Sequence, residues 1–228
     1  MREIVFDTET TGLDPFTGDK LVEIGAVELI NHVQTGVTYH QYINPERSIS
    51  EEVVKVHGLT EEFLKDKPIF SDICDDFIEF VGDAKLVAHN ASFDMKFINY
   101  ELEKAGRSTF DNDRVIDTLI IARKKFPGSR VNLDELCKKF KIDNSHRVLH
   151  GALLDAQLLA EVYLELLGGS EPGLVLGENK KTSSVPLEMS TPVERVFKEA
   201  RIFEFSDDEK ENHQKWLGKV KDALWMTE

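Results

Sequence analysis

Three strand-like segments, residues 3 to 9, about 21 to 30 and about 36 to 43, follow one another near the start of the chain, and they restrict its fold more than any other feature. Short turns join them, with Gly12 and Gly18 in the first connection, and an antiparallel meander follows. Beyond the meander the apolar spacing turns helical over residues 53 to 56 and 70 to 81. A short apolar strand at 85 to 88 leads into a helix over 92 to 105. A strand near Val115, helices near Leu119 and Leu133, and a strong helix over 151 to 167 complete the pattern. Three consecutive strands followed by strands alternating with helices predict an α/β layered domain, a mixed sheet covered by helices.

A chain of 228 residues can bury one substantial core and still leave a segment over. Its apolar runs are shorter than the roughly 20 residues of a membrane span, and Met1-Arg2-Glu3-Ile4-Val5-Phe6 enters a strand directly without a signal-peptide pattern. A cytoplasmic globular protein is expected. Cys74 and Cys137 lie far apart with no CxxC pair, so neither a disulfide framework nor a zinc site is suggested.

Gly168-Gly169 stops the strong helix, and the residues after it carry Pro172, Gly173, Gly177, Pro186 and Pro192 among Ser, Thr and Lys, the composition of a linker. The expected organisation is a domain over 1–169, a flexible linker over 170–192 and a tail over 193–228 with short helices at 193–201 and 207–224. Such a tail has too little core to fold firmly alone. Phe197, Phe203, Phe205, Trp216 and Trp225 either dock onto a larger partner or pack in a hairpin against the main domain.

Carboxylates stand where they cost energy. Asp7 and Glu9 share one face of the first strand, which is either a strand end emerging into water or a site that needs two acids side by side. On the 151–167 helix, Gln157, Glu161 and Glu165 form a polar stripe, whereas Asp155 is neighboured at helical spacing by Ala152, Leu158, Leu159 and Val162. An ionised aspartate on that face costs several kcal/mol unless a cation pairs with it, through a structural salt bridge or a bound metal. Asp94 lies in a first helical turn, where the helix dipole alone favours an acid. Four such acids make chemical sense together if they converge on hard divalent cations. His150, five residues before Asp155, is either a cap or a base for an attacking water.

Asp7-Thr8-Glu9, His89-Asn90-Ala91-Ser92-Phe93-Asp94 and His150-Gly151-Ala152-Leu153-Leu154-Asp155 resemble, in order and spacing, the three motifs of the DEDD exonuclease family in its histidine branch. DTETTGL at 7–13, EIGAV at 23–27, Val56-His57-Gly58, Ala122-Arg123-Lys124 and residues 150–169 are similar to the proofreading subunits of bacterial replicative polymerases, over nearly all of 1–169. The resemblance implies a ribonuclease H-like fold and hydrolysis with two divalent metal ions, Mg²⁺ or Mn²⁺, releasing nucleoside monophosphates from a 3′ end. It implies metal ligands at Asp7, Glu9, Asp94 and Asp155, a general base at His150, and a pocket for terminal nucleotides at Leu13, Val56, His57, Asn90 and Phe93. His57 and Phe93 could also be plain core or turn residues. The implied substrate is a single-stranded or frayed 3′ end of DNA, and the implied partner of the tail is the polymerase catalytic subunit. A sliding clamp is the weaker implied partner, because Glu171-Pro172-Gly173-Leu174-Val175-Leu176 has Glu171 where the family's clamp motif has glutamine and Leu176 where it has an aromatic. An RNA-trimming exonuclease of the same family and a non-catalytic replisome scaffold are the alternatives.

The net charge of -14 opposes nucleic-acid binding, since phosphates are repelled over a Debye length of about 8 to 10 Å. Arg123, Lys124, Lys125, Arg130, Lys138, Lys139, Lys141 and Arg147, against Asp134, Glu135 and Asp143, form either a local basic patch or a solvated face. Removing Asp7 or Asp155 is expected to relieve repulsion and leave the fold intact or more stable in EDTA.

Overall fold

The computed structural model describes residues 1–147, 149–169 and 206–217. The chain divides into two units at Leu176–Gly177, and each is described by itself. In the first, strands β1 (Arg2–Thr10), β2 (Leu21–Ile30) and β3 (Val33–Tyr42) form the meander. Helices α1 (Glu51–His57), α2 (Glu61–Leu64) and α3 (Phe70–Val81) follow, then β4 (Lys85–Ala88), α4 (Ala91–Lys104), β5 (Val115–Asp117), α5 (Thr118–Lys125), α6 (Leu133–Phe140) and α7 (Ala152–Leu167). The sheet order is β3-β2-β1-β4-β5, antiparallel between β1, β2 and β3 and parallel from β1 through β4 to β5. This is the expected mixed sheet.

Its central strand is β1, whose Ile4, Val5 and Phe6 are fully buried because helices cover both faces. On one side Ile4 and Phe6 pack with Phe70, Phe77, Phe97 and Ile98 of α3 and α4; on the other Val5 meets Leu159 and Tyr163 of α7. The buried residues of α3 fall at 70, 73, 74, 77 and 81, one stripe of a 3.6-residue repeat, and Gly82 ends the helix with positive φ.

Two local features depart from expectation. The third strand begins at Val33 instead of about 36, because Asn31 and His32 both take positive φ and close a two-residue hairpin between Ile30 and Val33. Asn-His is a less recognisable signal for such a turn than Asn-Gly. The one-turn helix α2 was not predicted, although Thr60 caps it by accepting from the Phe63 amide.

In the second unit, helix α8 (Asp207–Leu217) matches the first part of the helix expected over 207–224. Ser206 and Glu209 cap it reciprocally: the Glu209 amide donates to Ser206 Oγ and the Ser206 amide to Glu209 Oε2. Trp216 is exposed on α8. Residues 170–205 and 218–228, with the expected linker, the 193–201 helix, the 171–176 motif and Phe197, Phe203, Phe205 and Trp225, lie outside the described residues. No helix among the described residues is long and apolar enough to cross a membrane. Cys74 and Cys137 are free and buried.

Candidate active site

The site forms where β1 and β4 end and α7 begins. Asp7 pairs with Gly25 of β2 and Glu9 with Glu23. A Cβ at Gly25 would come within 2.1 to 2.3 Å of the backbone of Ala152 and Leu153, so only glycine lets the start of α7 rest directly on the sheet. That contact brings Asp155, one turn into α7, alongside Asp7. Alternation along β1 does the rest, turning Asp7 and Glu9 to the same cleft.

Asp94 arrives from the parallel side. After β4 the chain turns through Asn90 in the left-handed region, φ 68°, and enters α4, with the Asn90 amide held by Asp117 Oδ1 at 3.1 Å. Asp94 then lies in the first turn of α4, buried, and accepts a 2.7 Å hydrogen bond from the Thr8 hydroxyl between the two acids of β1. The helix dipole explains an acid there, but a solvated acid would serve the dipole equally well, so the burial needs another cause.

Asp155 is paired. Arg147 donates from Nε to Oδ1 at 2.5 Å and from Nη2 to Oδ2 at 2.7 Å, a fork on both carboxylate oxygens. Its Nη1 reaches Asp134 Oδ1 at 3.0 Å, and its Nη2 stands 2.9 Å from His150 Nδ1. The salt bridge that competed with a metal as an account of Asp155 is therefore present. Arg147 does not belong to the exposed basic patch: its side chain is only 8% exposed. The remaining patch is also partly used up. Lys125 Nζ caps the Glu165 and Leu166 carbonyls at the end of α7, and Lys138 pairs with Glu135, while Arg123, Lys124, Arg130 and Lys141 stay exposed.

His150 is exposed and its amide donates to the Val56 carbonyl at 3.1 Å, which fixes the loop before α7 against α1. Single ligand atoms of Glu9, His150 and Asp155 lie within 4.8 Å of one another. Asp7, Glu9, Leu13, Asn90, Phe93, Asp94, His150 and Asp155 line one cleft of about 620 Å³. Val56 and His57 are not among its lining residues. His57 is buried, and its Nδ1 accepts from the Leu59 amide. Burial holds its imidazole below the ordinary range, with a nearby hydrogen bond to Thr10 opposing and His150 reinforcing that shift.

The acids disturb one another as their burial requires. Burial, then Asp94, Glu9 and Asp155, hold the Asp7 carboxyl well above the usual range, and only Arg147 opposes them. Burial and the charges of Asp155, Glu23 and Asp94 raise Glu9 to about 8. Asp94 is raised to about 7, chiefly by burial and against the Thr8 hydrogen bond. Such a cluster wants positive charge, and its oxygen-rich donors suit hard divalent cations.

Comparison with known proteins shows the family. The family model described as Exonuclease matches residues 4–163, a span that contains all four acids and His150. The chain belongs to this exonuclease family. Within it, the chain is 46% identical over 223 residues to the DNA polymerase III subunit epsilon of Rickettsia prowazekii, covering 96% of this chain and 97% of that one. It is 58% identical over 174 residues to the subunit of the same name from Rickettsia conorii, covering 75% and 76%. It thus belongs with the epsilon subunits of the exonuclease family. Among solved structures, exonuclease X in complex with 5′ overhanging duplex DNA is similar at a TM-score of 0.56 and 28% identity, covering 73% of this chain and 90% of that one. The fold is ribonuclease H-like, as in other exonucleases of this family.

Asp7, Glu9, Asp94, Asp155 and His150, expected from the sequence to act together, line one cleft, whereas Arg147 and Gly25 were not expected as parts of the site. Arg147 looked like one more cation in a lysine-rich stretch. Gly25 carries no chemistry and was visible only within the EIGAV resemblance.

Proposed function

We propose that the chain is the proofreading 3′-to-5′ exonuclease of a replicative DNA polymerase, hydrolysing the 3′-terminal phosphodiester and releasing nucleoside monophosphates. The observation that carries this reading is the convergence of four carboxylates from β1, α4 and α7 in one cleft that also holds His150 and the exposed Leu13. Asp7, Glu9, Asp94 and Asp155 would hold two divalent cations, Mg²⁺ or Mn²⁺. Bound there, the cations would supply an activated water and neutralise charge on the phosphate.

The chain's own residues do the rest. The acids would orient the scissile phosphate only indirectly, by holding the cations that neutralise it. His150 stands at the rim, where a ring nitrogen takes the proton of the attacking water. Leu13 and Phe93 offer apolar surface to the terminal bases without a hydrogen-bonding code, which suits a site that must accept any base. Asn90 adds a polar edge, and Val56 and His57 support the rim from α1. Discrimination then comes from melting, because a mispaired end unpairs at lower cost than a matched one. The tail over 193–228, with Trp216 exposed on α8, is proposed to bind the polymerase catalytic subunit. The 171–176 motif gives the sliding clamp weaker support.

The test is hydrolysis of 3′-labelled single-stranded DNA, of RNA of equal length, and of matched and mispaired primers with Mg²⁺, Mn²⁺ or EDTA. Metal-dependent release of monophosphates, faster from DNA and from mispaired ends, is expected. Cleavage in EDTA, or no cleavage under any of these conditions, sinks the reading. Co-purification with a polymerase subunit, with and without residues 170–228, tests the tail.

A further inference from the structure

Among the described residues, Arg147 is the only cation whose contacts join the acids of the cleft to its base. One guanidinium covers both oxygens of Asp155, stands 2.9 Å from His150 Nδ1, and reaches Asp134 Oδ1 on the open side. Asp155 and Arg147 are 3% and 8% exposed, whereas Asp134 is 46% exposed and receives a second hydrogen bond from Asn144 Nδ2. A fork of this kind uses the lone pairs that a metal ion would need, and its contact with Nδ1 engages the lone pair that a base would need.

We propose that Arg147 is an internal counter-cation that locks the metal-free site and competes with the divalent cation for Asp155. On this view, which rests on the metal-dependent reading above, the guanidinium neutralises the crowded carboxylates when no metal is bound. Loading of the site moves it off Asp155 and His150 and onto Asp134, which already holds one of its nitrogens. The same movement frees a metal ligand and the imidazole lone pair together, so the base becomes available only in a loaded site. Arg147 is a positioning residue: it acts through Asp155 and His150. Lysine cannot replace it, since an ammonium has no planar fork for two oxygens and a ring nitrogen at once.

The experiment is calorimetric titration of the full chain with Mn²⁺, and separately with Mg²⁺, for the wild type, Arg147→Ala and Arg147→Lys, with thermal unfolding of each in EDTA and at saturating metal. Loss of a charge-assisted fork corresponds to a factor of roughly ten or more. Arg147→Ala is therefore expected to bind metal at least about tenfold more tightly than the wild type while melting at a lower temperature in EDTA. The difference in melting should shrink at saturating metal, and Arg147→Lys should fall between the two. Equal or weaker metal binding by both variants, with the wild type binding normally, overturns the lock and leaves the metal-dependent reading standing. A wild type that binds neither ion overturns both. Should Arg147→Ala fail to fold, the Arg147 Nε–H resonance of ¹⁵N-labelled wild type, assigned with Arg147→Lys, decides. It is expected to shift on metal addition as the bond to Asp155 breaks, and an unmoved, still-protected signal overturns the lock.

Discussion

Strand β1 buries carboxylates at both ends, and the two ends treat them differently. At its start Glu3 is fully buried yet provided for: the Tyr163 hydroxyl donates to Oε1 at 2.8 Å, and His32 Nδ1 stands 2.9 Å from Oε2, close enough for a charge contact though not aligned as a hydrogen bond. At its far end Asp7 and Glu9 face Asp94 and Asp155, and the one cation within reach among the described residues, Arg147, is shared among them. The other buried acids of the sheet and α4 follow the first pattern, Glu101 with Lys20, Glu28 with Arg2 and Glu23 with His40. A buried acid with its own partner is holding the fold together. A buried acid surrounded by other acids is waiting for something the chain does not itself contain.

The sharpest way to break this contrast is to remove one acid from the crowded end. Asp7→Ala should lower 3′-end hydrolysis at least about a thousandfold while raising the unfolding midpoint in EDTA, because repulsion is relieved. Asp155→Ala should be equally inactive but less stable, on the order of 3 kcal/mol, since it strands Arg147. Here the structure corrects the expectation that losing either acid relieves strain. If both variants gain stability in EDTA, the ion pair at Asp155 contributes nothing to the fold.

Gly25→Ala should cost about 3 kcal/mol of stability by forcing α7 off the sheet, with activity falling in the surviving folded fraction. Denaturant unfolding with a parallel nuclease assay measures both, and a stable, fully active variant would show that the contact at Gly25 does not set the site.

The crowded end also predicts a pH dependence. Glu9 and Asp94 have folded values raised to about 8 and about 7, so they bind protons more tightly when folded than when unfolded. Each therefore costs nothing well below its ordinary value of about 4, where both states are protonated, and its penalty grows until pH passes the folded value. In EDTA the unfolding free energy should fall by a few kcal/mol between about pH 4.5 and 8. Mg²⁺ should flatten that slope. A rise with pH in EDTA would mean that the acids are not crowded.

The smallest effect belongs to the partnered end. Tyr163→Phe should cost roughly 1 to 2 kcal/mol by leaving Glu3 short of a donor, with hydrolysis rates unchanged. Lost activity there would mean that the two ends are coupled.

Much of this was readable in the sequence, for reasons that differ by residue. The meander, α3 and α7 were legible because their apolar periodicities are long and their ends carry glycine or polar stops, and the four-residue β4 because it is a short apolar run before a turn. Asp155 was legible because it interrupts an apolar face. The Asn31-His32 turn was not, because any residue pair that tolerates positive φ can make it, and α2 is too short for a period to appear. Arg147 was illegible for a third reason. A charge gives no sign in sequence of whether it points to water or inward, and only the fold brings it against Asp155.

Gly25 has a consequence for anyone searching such sites by their reactive groups. The spacing between strand and helix there is set by the radii of two bare backbones in contact, a clearance that no rotamer can adjust. The separation of Asp7 from Asp155 therefore depends as strictly on a missing methyl group as on the carboxylates themselves, and a search that scores only functional groups would pass over the position that gauges them.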